Sequence, residues 1–453
     1  MKNIILILSI LILSACGIDK ESPPPLSSVN NSGELDITFN GNGYLSIDNS
    51  AGGSGNDEIY DIAVDSADRI IAVGSSVNGS GDTDLAVWRL TSNGLIDTSF
   101  SGDGVFTHDN AAGGSGNDIG YSVVIGSSNE IYVTGTSINA GADFDMVIWK
   151  LTSAGVLDTS FAGTGFIVDD SAAGGSANDQ GAGIALDASN KIVVTGFSDQ
   201  TVTNRDMAVW RLTTAAVLDT TFSGDGIFTH DSAAGGEDDN GNAVVIDSTG
   251  NIIVAGVSDA VGNIGDMAIW KITTAGILDT AFNGTGFFTQ HDAAGGANID
   301  AATDIVIDSA GRYYVTGYSK NSDGNNDMVL WKLRSTGSLD TTFNAVGFTT
   351  FDVSTISGGS TNDTGEALII DSEDRITVVG SGNENMCVWR YNDDGTIDEN
   401  FNTDGFFAHD SAAGGFSLDS GTGVAEDSLN RLYMGGFSEN DSNDYDATFW
   451  RMK

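Results

Sequence analysis

Short apolar runs rich in valine, isoleucine and aromatic residues alternate along almost the whole chain with clusters of Gly, Asn, Asp and Ser. One stretch stands for the rest. Tyr121-Ser-Val-Val-Ile125 reads as a strand, Gly126-Ser-Ser-Asn as a turn, and Ile131-Tyr-Val-Thr-Gly135 as a second strand. A polar loop leads to a third, Asp145-Met-Val-Ile-Trp-Lys-Leu151, and Thr-Ser-Ala-Gly turns the chain into a fourth, Val156-Leu-Asp-Thr-Ser-Phe161. Branched and aromatic side chains suit a pleated surface, and the small polar residues between them supply turns. No stretch sustains a 3.6-residue period, so helix should be minor.

This four-strand pattern recurs. The seven tryptophans, Trp88, Trp149, Trp210, Trp270, Trp331, Trp389 and Trp450, are spaced by 61, 61, 60, 61, 58 and 61 residues and share one frame, as in Ala-Val-Trp-Arg-Leu at 86–90. A second marker also occurs seven times: Asp36, Asp97, Asp158, Asp219, Asp279, Asp340 and Asp398, each followed three residues later by phenylalanine. A fixed period over most of a chain signals a repeat architecture. Four-stranded units repeated radially make a β-propeller, and a linear solenoid is the competing arrangement. The ends favour the propeller. The last unit stops at Lys453 after its third strand, while a matching fourth strand, Glu34-Leu-Asp-Ile-Thr-Phe39, precedes the first unit. The expected fold is all-β: a seven-bladed β-propeller of four-stranded antiparallel blades over 33–453, its last blade closed by the N-terminal strand, which removes exposed edges.

The Gly-x-Leu-Asp-Thr-Ser-Phe segment, Gly-Asp-Gly-Val-Phe-Thr at 102–107 and the Ile-Tyr-Val-Thr-Gly strand resemble the delta-60 repeat of bacterial β-propellers. The resemblance covers 33–453, with Ala215-Ala216 in place of a turn glycine and an irregular sixth unit as departures. It implies a propeller in a secreted or surface protein and no particular activity.

The N-terminus reads as an address. Lys2, the apolar run Ile4 to Ile12 and Leu13-Ser14-Ala15-Cys16 have the order of a bacterial secretory signal, and the apolar run is shorter than the roughly 20 residues a spanning helix needs. Leu-Ser-Ala-Cys resembles the lipobox of bacterial lipoproteins, which implies a signal peptide at 1–15 and acylation of Cys16. Gly17 stands where a retention aspartate would keep such a protein at the inner membrane, so for a Gram-negative source outer-membrane anchoring is expected, on the periplasmic or cell-surface side. All three prolines, Pro23 to Pro25, fall in the stretch 16–32, a semi-rigid tether.

Composition narrows the partners. A formal net charge of -45 opposes nucleic-acid binding, since phosphate would be repelled, and favours solubility or cation binding. After Cys16 only Cys387 remains, so a mature chain has no intramolecular disulfide. Cys387 replaces a small residue of the repeat and reads as packing.

Candidate chemistry lies on the longer, acidic, glycine-rich loops. Gly52-Gly-Ser-Gly-Asn-Asp57 resembles the calcium-binding nonapeptide of RTX toxins and recurs at 113–118 and, loosely, at 174–179. Asp57, Asp118 and Asp179 are therefore candidate ligands and calcium the candidate cofactor. The copies lie about sixty residues apart and cannot stack, so aspartates that hold their own loops are the alternative. His108, His230, His291 and His409 fall in different units, as does any Ser/His/Asp set, so neither a zinc cluster nor a triad is expected. The tryptophans should fill the space between units, and the cation after each, such as Arg89 or Lys150, should pair with the nearby aspartate.

One unit departs from the pattern. From the second-strand glycine to tryptophan the count is 14 in six units but 9 in the sixth, Gly380 to Trp389, and the preceding loop, Asp352-Val-Ser-Thr-Ile-Ser-Gly-Gly359, is longer. This notch makes Ser354, Thr355, Asn383, Glu384 and Asn385 candidate ligand-binding residues, with drift in one repeat as the alternative. The functional expectation is a non-enzymatic, monomeric lipoprotein, in contact with the membrane through its lipid only, that binds a protein or glycan partner. The alternatives are a hydrolase or lyase with a site at the axial mouth, or a structural surface component.

Overall fold

The computed structural model describes residues 32–175, 177–201, 204–260, 264–353 and 362–453. Among them there is no helix, and the strands pair into four-stranded antiparallel sets. Five sets stand alone, and one eight-stranded sheet consists of two sets joined by a single parallel bridge between Arg205 and Asp238. We call the sets ladders and number them by their first strands, which begin at Gly52, Gly113, Asp179, Gly235, Gly295, Asp363 and Gly414.

Ladder two shows the plan: Gly113–Ile125, Ile131–Asn139, Phe144–Leu151 and Phe166–Asp169, in that order across the sheet. The second and third strands are buried on both faces by neighbouring ladders, so they read as continuous apolar runs rather than alternating ones. The apolar core lies between ladders. Val73, Leu85 and Val87 of ladder one pack against Val133, Val147 and Trp149 of ladder two. In the same way, Trp88 and Ile59 of ladder one pack against Tyr433 and Phe449 of ladder seven. Each first strand also lies against the three leading strands of the ladder before it, and Gly52–Val64 lies against all three C-terminal strands of ladder seven.

Two expectations about strands are corrected. The Leu-Asp-Thr-Ser-Phe segment is a tight turn, not the fourth strand. In ladder two only Leu157 bridges, to Leu151, while the Asp158 carboxylate accepts hydrogen bonds from the Ser160 N–H at 3.1 Å and hydroxyl at 2.6 Å. An aspartate that closes a turn over its own backbone cannot stay extended. The fourth strand comes later, as Val105–His108 in ladder one. Likewise, the N-terminal strand that pairs with the C-terminal Tyr445–Met452 is Tyr44–Ile47, in register Tyr44 to Trp450 and Ile47 to Ala447. Residues 36–39 form the turn, and Arg451 pairs with Asp36 at 2.7 Å.

The glycine-rich segments are also strand rather than loop in ladders one and two, where the first strand begins at Gly52 and Gly113. Gly52 has φ +85°, and a Cβ on Gly53 would lie 2.3 Å from the Asn78 carbonyl oxygen. Gly52 supplies the left-handed backbone, and Gly53 lets two backbones approach as no larger residue allows.

Candidate functional site

Every first strand carries a β-bulge. Its pairing with the second strand shifts register between Ile59 and Asp61, Gly120 and Ser122, Gly181 and Gly183, Gly241 and Ala243, Ala302 and Asp304, Gly365 and Ala367, and Gly421 and Gly423. The extra residues are Tyr60, Tyr121, Ala182, Asn242, Thr303, Glu366 and Thr422. All seven line one cavity of about 230 Å³. A bulge re-aims a side chain out of the ladder, and here it turns one residue per ladder toward a shared space.

The second-strand glycine makes the bulge possible. A Cβ on Gly74 would lie 1.8 Å from the Glu58 carbonyl oxygen, and on Gly380 1.8 Å from that of Thr364. The repeated glycine of the Ile-Tyr-Val-Thr-Gly strand was thus the sequence signal for these residues, which reading by motif passed over.

The cavity is acidic. Asp61 accepts hydrogen bonds from the Ser122 hydroxyl and the Val123 N–H of ladder two, both at 2.9 Å, and from the Ile62 N–H at 2.7 Å. Burial pushes its carboxyl up to about 6 against those bonds. Asp304 does the same between ladders five and six, accepting from the Leu368 N–H at 2.9 Å and the Ile305 N–H at 2.7 Å. Burial pushes it up to about 7, and the charge on Asp61 adds to the effect. Glu366 is also raised by burial. The Thr303 and Thr422 hydroxyls donate to carbonyls of the adjoining ladders, Gly365 and Ile59, each at 2.6 Å. The rings of Tyr60 and Tyr121 meet with centroids 5.4 Å apart, and the Tyr60 hydroxyl donates to Glu58. No lysine, arginine or histidine is among the lining residues.

The aspartates singled out from the sequence lie elsewhere. Asp57, Asp118 and Asp179 sit in ladders one, two and three, fully buried. Asp57 accepts from the N–H groups of Asn49 at 2.9 Å and Ser50 at 3.1 Å, and Asp118 from Asn110 at 2.9 Å and Ala111 at 3.2 Å. Each thereby fastens the crossing from the preceding ladder. Burial raises all three, Asp179 to about 7. The structure does not bring them together, and among the described residues no group of three or more His, Cys, Asp or Glu is gathered as for a metal. The same position is held by Asp239, Asp300, Asp363 and Asp419, also buried, so the feature belongs to the repeat and not to the glycine-rich copies alone.

Three of the four histidines complete contacts between ladders. Nδ1 of His108, His230 and His409 accepts the indole N–H of Trp149, Trp270 and Trp450 of the next ladder, each at 3.3 Å. His291 contacts Asp266 at 3.0 Å instead. All seven tryptophans are fully buried, as filling between ladders requires. The cation after each tryptophan pairs with the turn aspartate in five ladders, as in Arg89–Asp97 at 2.8 Å and Arg390–Asp398 at 2.8 Å. Two depart from that expectation: Lys271 pairs with Asp247 at 3.1 Å and Lys332 with Asp393 of the next ladder at 2.6 Å. Both departures are lysines, whose single ammonium has no planar fork to fix it on one carboxylate, whereas Lys150 keeps Asp158 at 2.9 Å.

In ladder six the short hairpin is a two-residue turn. Gly382 pairs with Asn385, and Asn383 and Glu384 have φ of 51° and 66°, the signature of a type I′ turn. The Asn385 side chain donates to the Asn383 carbonyl at 3.0 Å, and the Glu384 carbonyl accepts from the Asp419 N–H of ladder seven at 2.9 Å. Ser354, Thr355 and Cys16 lie outside the described residues. Cys387 is fully buried, as packing requires.

Among curated proteins none matches the sequence. Solved structures of similar shape include an ulvan lyase with a bound sugar (TM-score 0.48, 9% identity, 90% of this chain and 95% of that one). Others are virginiamycin B lyase from Staphylococcus aureus (0.44, 9%, 90% and 98%) and a protein of unknown function from Dyadobacter fermentans (0.43, 9%, 91% and 98%). Likeness at that level has no bearing on activity. Residues 67–100, 126–161, 188–222 and 311–343 match the family described as "Domain of unknown function (DUF5122) beta-propeller", together under a third of the chain. Each match spans parts of a ladder and its turn aspartate, and the four together support a β-propeller family for this chain.

Proposed function

We propose that this protein is a closed, seven-bladed propeller of delta-60-type repeats that binds a small ligand in its axial cavity, and that it acts as a binding module rather than a catalyst. One observation carries the reading. The ladders repeat nearly the same residues at their interfaces, yet the cavity positions read Tyr, Tyr, Ala, Asn, Thr, Glu and Thr. A purely structural channel has no need of that variety, whereas a ligand site needs a few different groups at set places. The cavity is smaller than the roughly 300–1,000 Å³ of clefts for drug-sized ligands, so the ligand is small. Binding is favoured over catalysis because Asp61 and Asp304 have their oxygens committed to donors that hold adjoining ladders together.

Lipidation at Cys16 would anchor the ring to the outer membrane through the tether 16–32, with a protein or glycan partner at the notch of ladder six. Calcium at Asp57, Asp118 or Asp179 remains part of the proposal to be tested by calorimetry. Ligand-observed NMR with a panel of small neutral, anionic and cationic molecules tests the cavity. Hits should vanish in Ala182→Trp, which fills it. Hits that persist in that variant, or turnover of a panel member, would overturn the reading.

A further inference from the structure

We propose that the axial cavity takes a small organic ammonium ion, held by Glu366 and the adjacent, mutually tilted rings of Tyr60 and Tyr121; this rests on the cavity being the ligand site.

Charge comes first. The ionisable carboxylates at the cavity are Asp61, Asp304 and Glu366, and no basic side chain lines it. The arginines and lysines that follow the tryptophans pair with carboxylates such as Asp97 and Asp398. A walled space with one sign of charge concentrates ions of the other. Burial raises all three carboxyls, as expected where a negative charge lacks a cation beside it.

Ligand geometry then separates an organic cation from a metal. Calcium takes six to eight oxygens. Here Asp61 already accepts three hydrogen bonds and Asp304 two, so neither can turn a full set of lone pairs to an ion without releasing the adjoining ladder. Glu366 is different. It is the bulged residue itself, half-buried, and its carboxylate accepts a hydrogen bond from the Thr364 hydroxyl of its own strand, so turning it to an ion releases no adjoining ladder. An ammonium group asks less than a metal: one carboxylate and aromatic faces suffice. Tyr60 and Tyr121 supply those faces on neighbouring ladders, in contact with each other. The cavity volume of about 230 Å³ suits a cation of a few heavy atoms.

Isothermal titration of the full chain with tetramethylammonium and methylammonium chlorides tests this, with potassium chloride at equal ionic strength, sodium acetate and glycerol as controls. The ammonium ions should bind. Glu366→Gln, which keeps the shape, should weaken them about tenfold, a loss of about 1.4 kcal/mol. Tyr121→Leu should weaken tetramethylammonium more than methylammonium. Circular dichroism melting of both variants checks that they fold. Binding of glycerol or acetate in the cavity, lost in Ala182→Trp, with no ammonium binding, would overturn the ligand class and leave the cavity reading standing. No probe binding would overturn both. Ammonium binding unchanged in Glu366→Gln and Tyr121→Leu would overturn the placement.

Discussion

The interfaces between ladders and the cavity lined by the bulges are built from the same seven repeats, yet they treat those repeats in opposite ways. At the interfaces each repeat supplies the same parts: a buried tryptophan, a buried aspartate at the position of Asp57, and a cation that holds a nearby carboxylate. At the cavity each repeat supplies one bulged residue, and the side chains run from alanine to glutamate. Interfaces all solve one packing problem, so one answer serves seven times. The cavity is a single place seen from seven sides, and seven copies of one side chain would either crowd it or leave it featureless.

That contrast can be broken most forcefully at the interfaces. Trp210→Ala removes an indole that fills the space between ladders two and three and donates to Asp169 at 3.1 Å. The expected loss is about 3–5 kcal/mol, read from the guanidinium unfolding midpoint. A loss near that of Ala182→Leu at the cavity would erase the distinction.

Next comes the tie between the termini. Arg451→Met leaves Asp36 without its buried partner and should cost about 3 kcal/mol. It should also loosen Tyr44–Ile47 relative to the other fourth strands in hydrogen exchange. Unchanged protection there would show that strand pairing alone holds the N-terminal segment.

Protons sharpen the comparison further. Burial lifts Asp61, Asp145, Asp419 and Asp446 to about 6, and Asp179, Asp304 and Asp363 to about 7, against about 3.9 in an unfolded chain. Between those values the folded state holds more protons than the unfolded one, so stability falls as pH rises through that window. Asp247 runs the other way. Burial opposes it, but hydrogen bonds from Thr249 and Asn251 hold it down to about 2, so its contribution is lost as pH falls below about 4. The melting temperature should therefore peak near pH 4–5 and decline toward pH 8. Asp179→Asn should flatten part of that decline. A peak at neutral pH would contradict the buried, uncompensated carboxyls.

The smallest expected effect is at the notch. Glu384 occupies a left-handed position that disfavours a side chain, so Glu384→Gly should stabilise by about 1 kcal/mol, measured as a shift in melting temperature. A loss instead would mean that the Glu384 side chain does something its backbone position does not show.

Much of the architecture was legible because it rests on residues that recur. Tryptophan and aspartate at a sixty-residue period marked the repeats, and the cation beside each tryptophan found its turn aspartate in five ladders. The Leu-Asp-Thr-Ser-Phe segment misled because its apolar ends look like strand. What bends it is local: Asp158 bonds the residue two positions on. The glycine-rich segments misled the other way, looking like loops when their glycines serve close pairing of backbones. The cavity was not legible by type, since no two neighbouring ladders beyond Tyr60 and Tyr121 put the same residue there. Only the invariant glycine opposite each bulge pointed to it.

By itself the sequence determined the all-β class, the second and third strands of each repeat, their sevenfold recurrence and the burial of the tryptophans, because these follow from local pattern and a fixed spacing. Only the tertiary structure decided which N-terminal strand meets the C-terminal one, which carboxylates lose their water, and which seven side chains share a cavity. Those depend on where separate repeats come to lie against one another, and a one-residue bulge, which moves a side chain out of its ladder, marks the period only through the glycine opposite it and not through the side chain it turns inward.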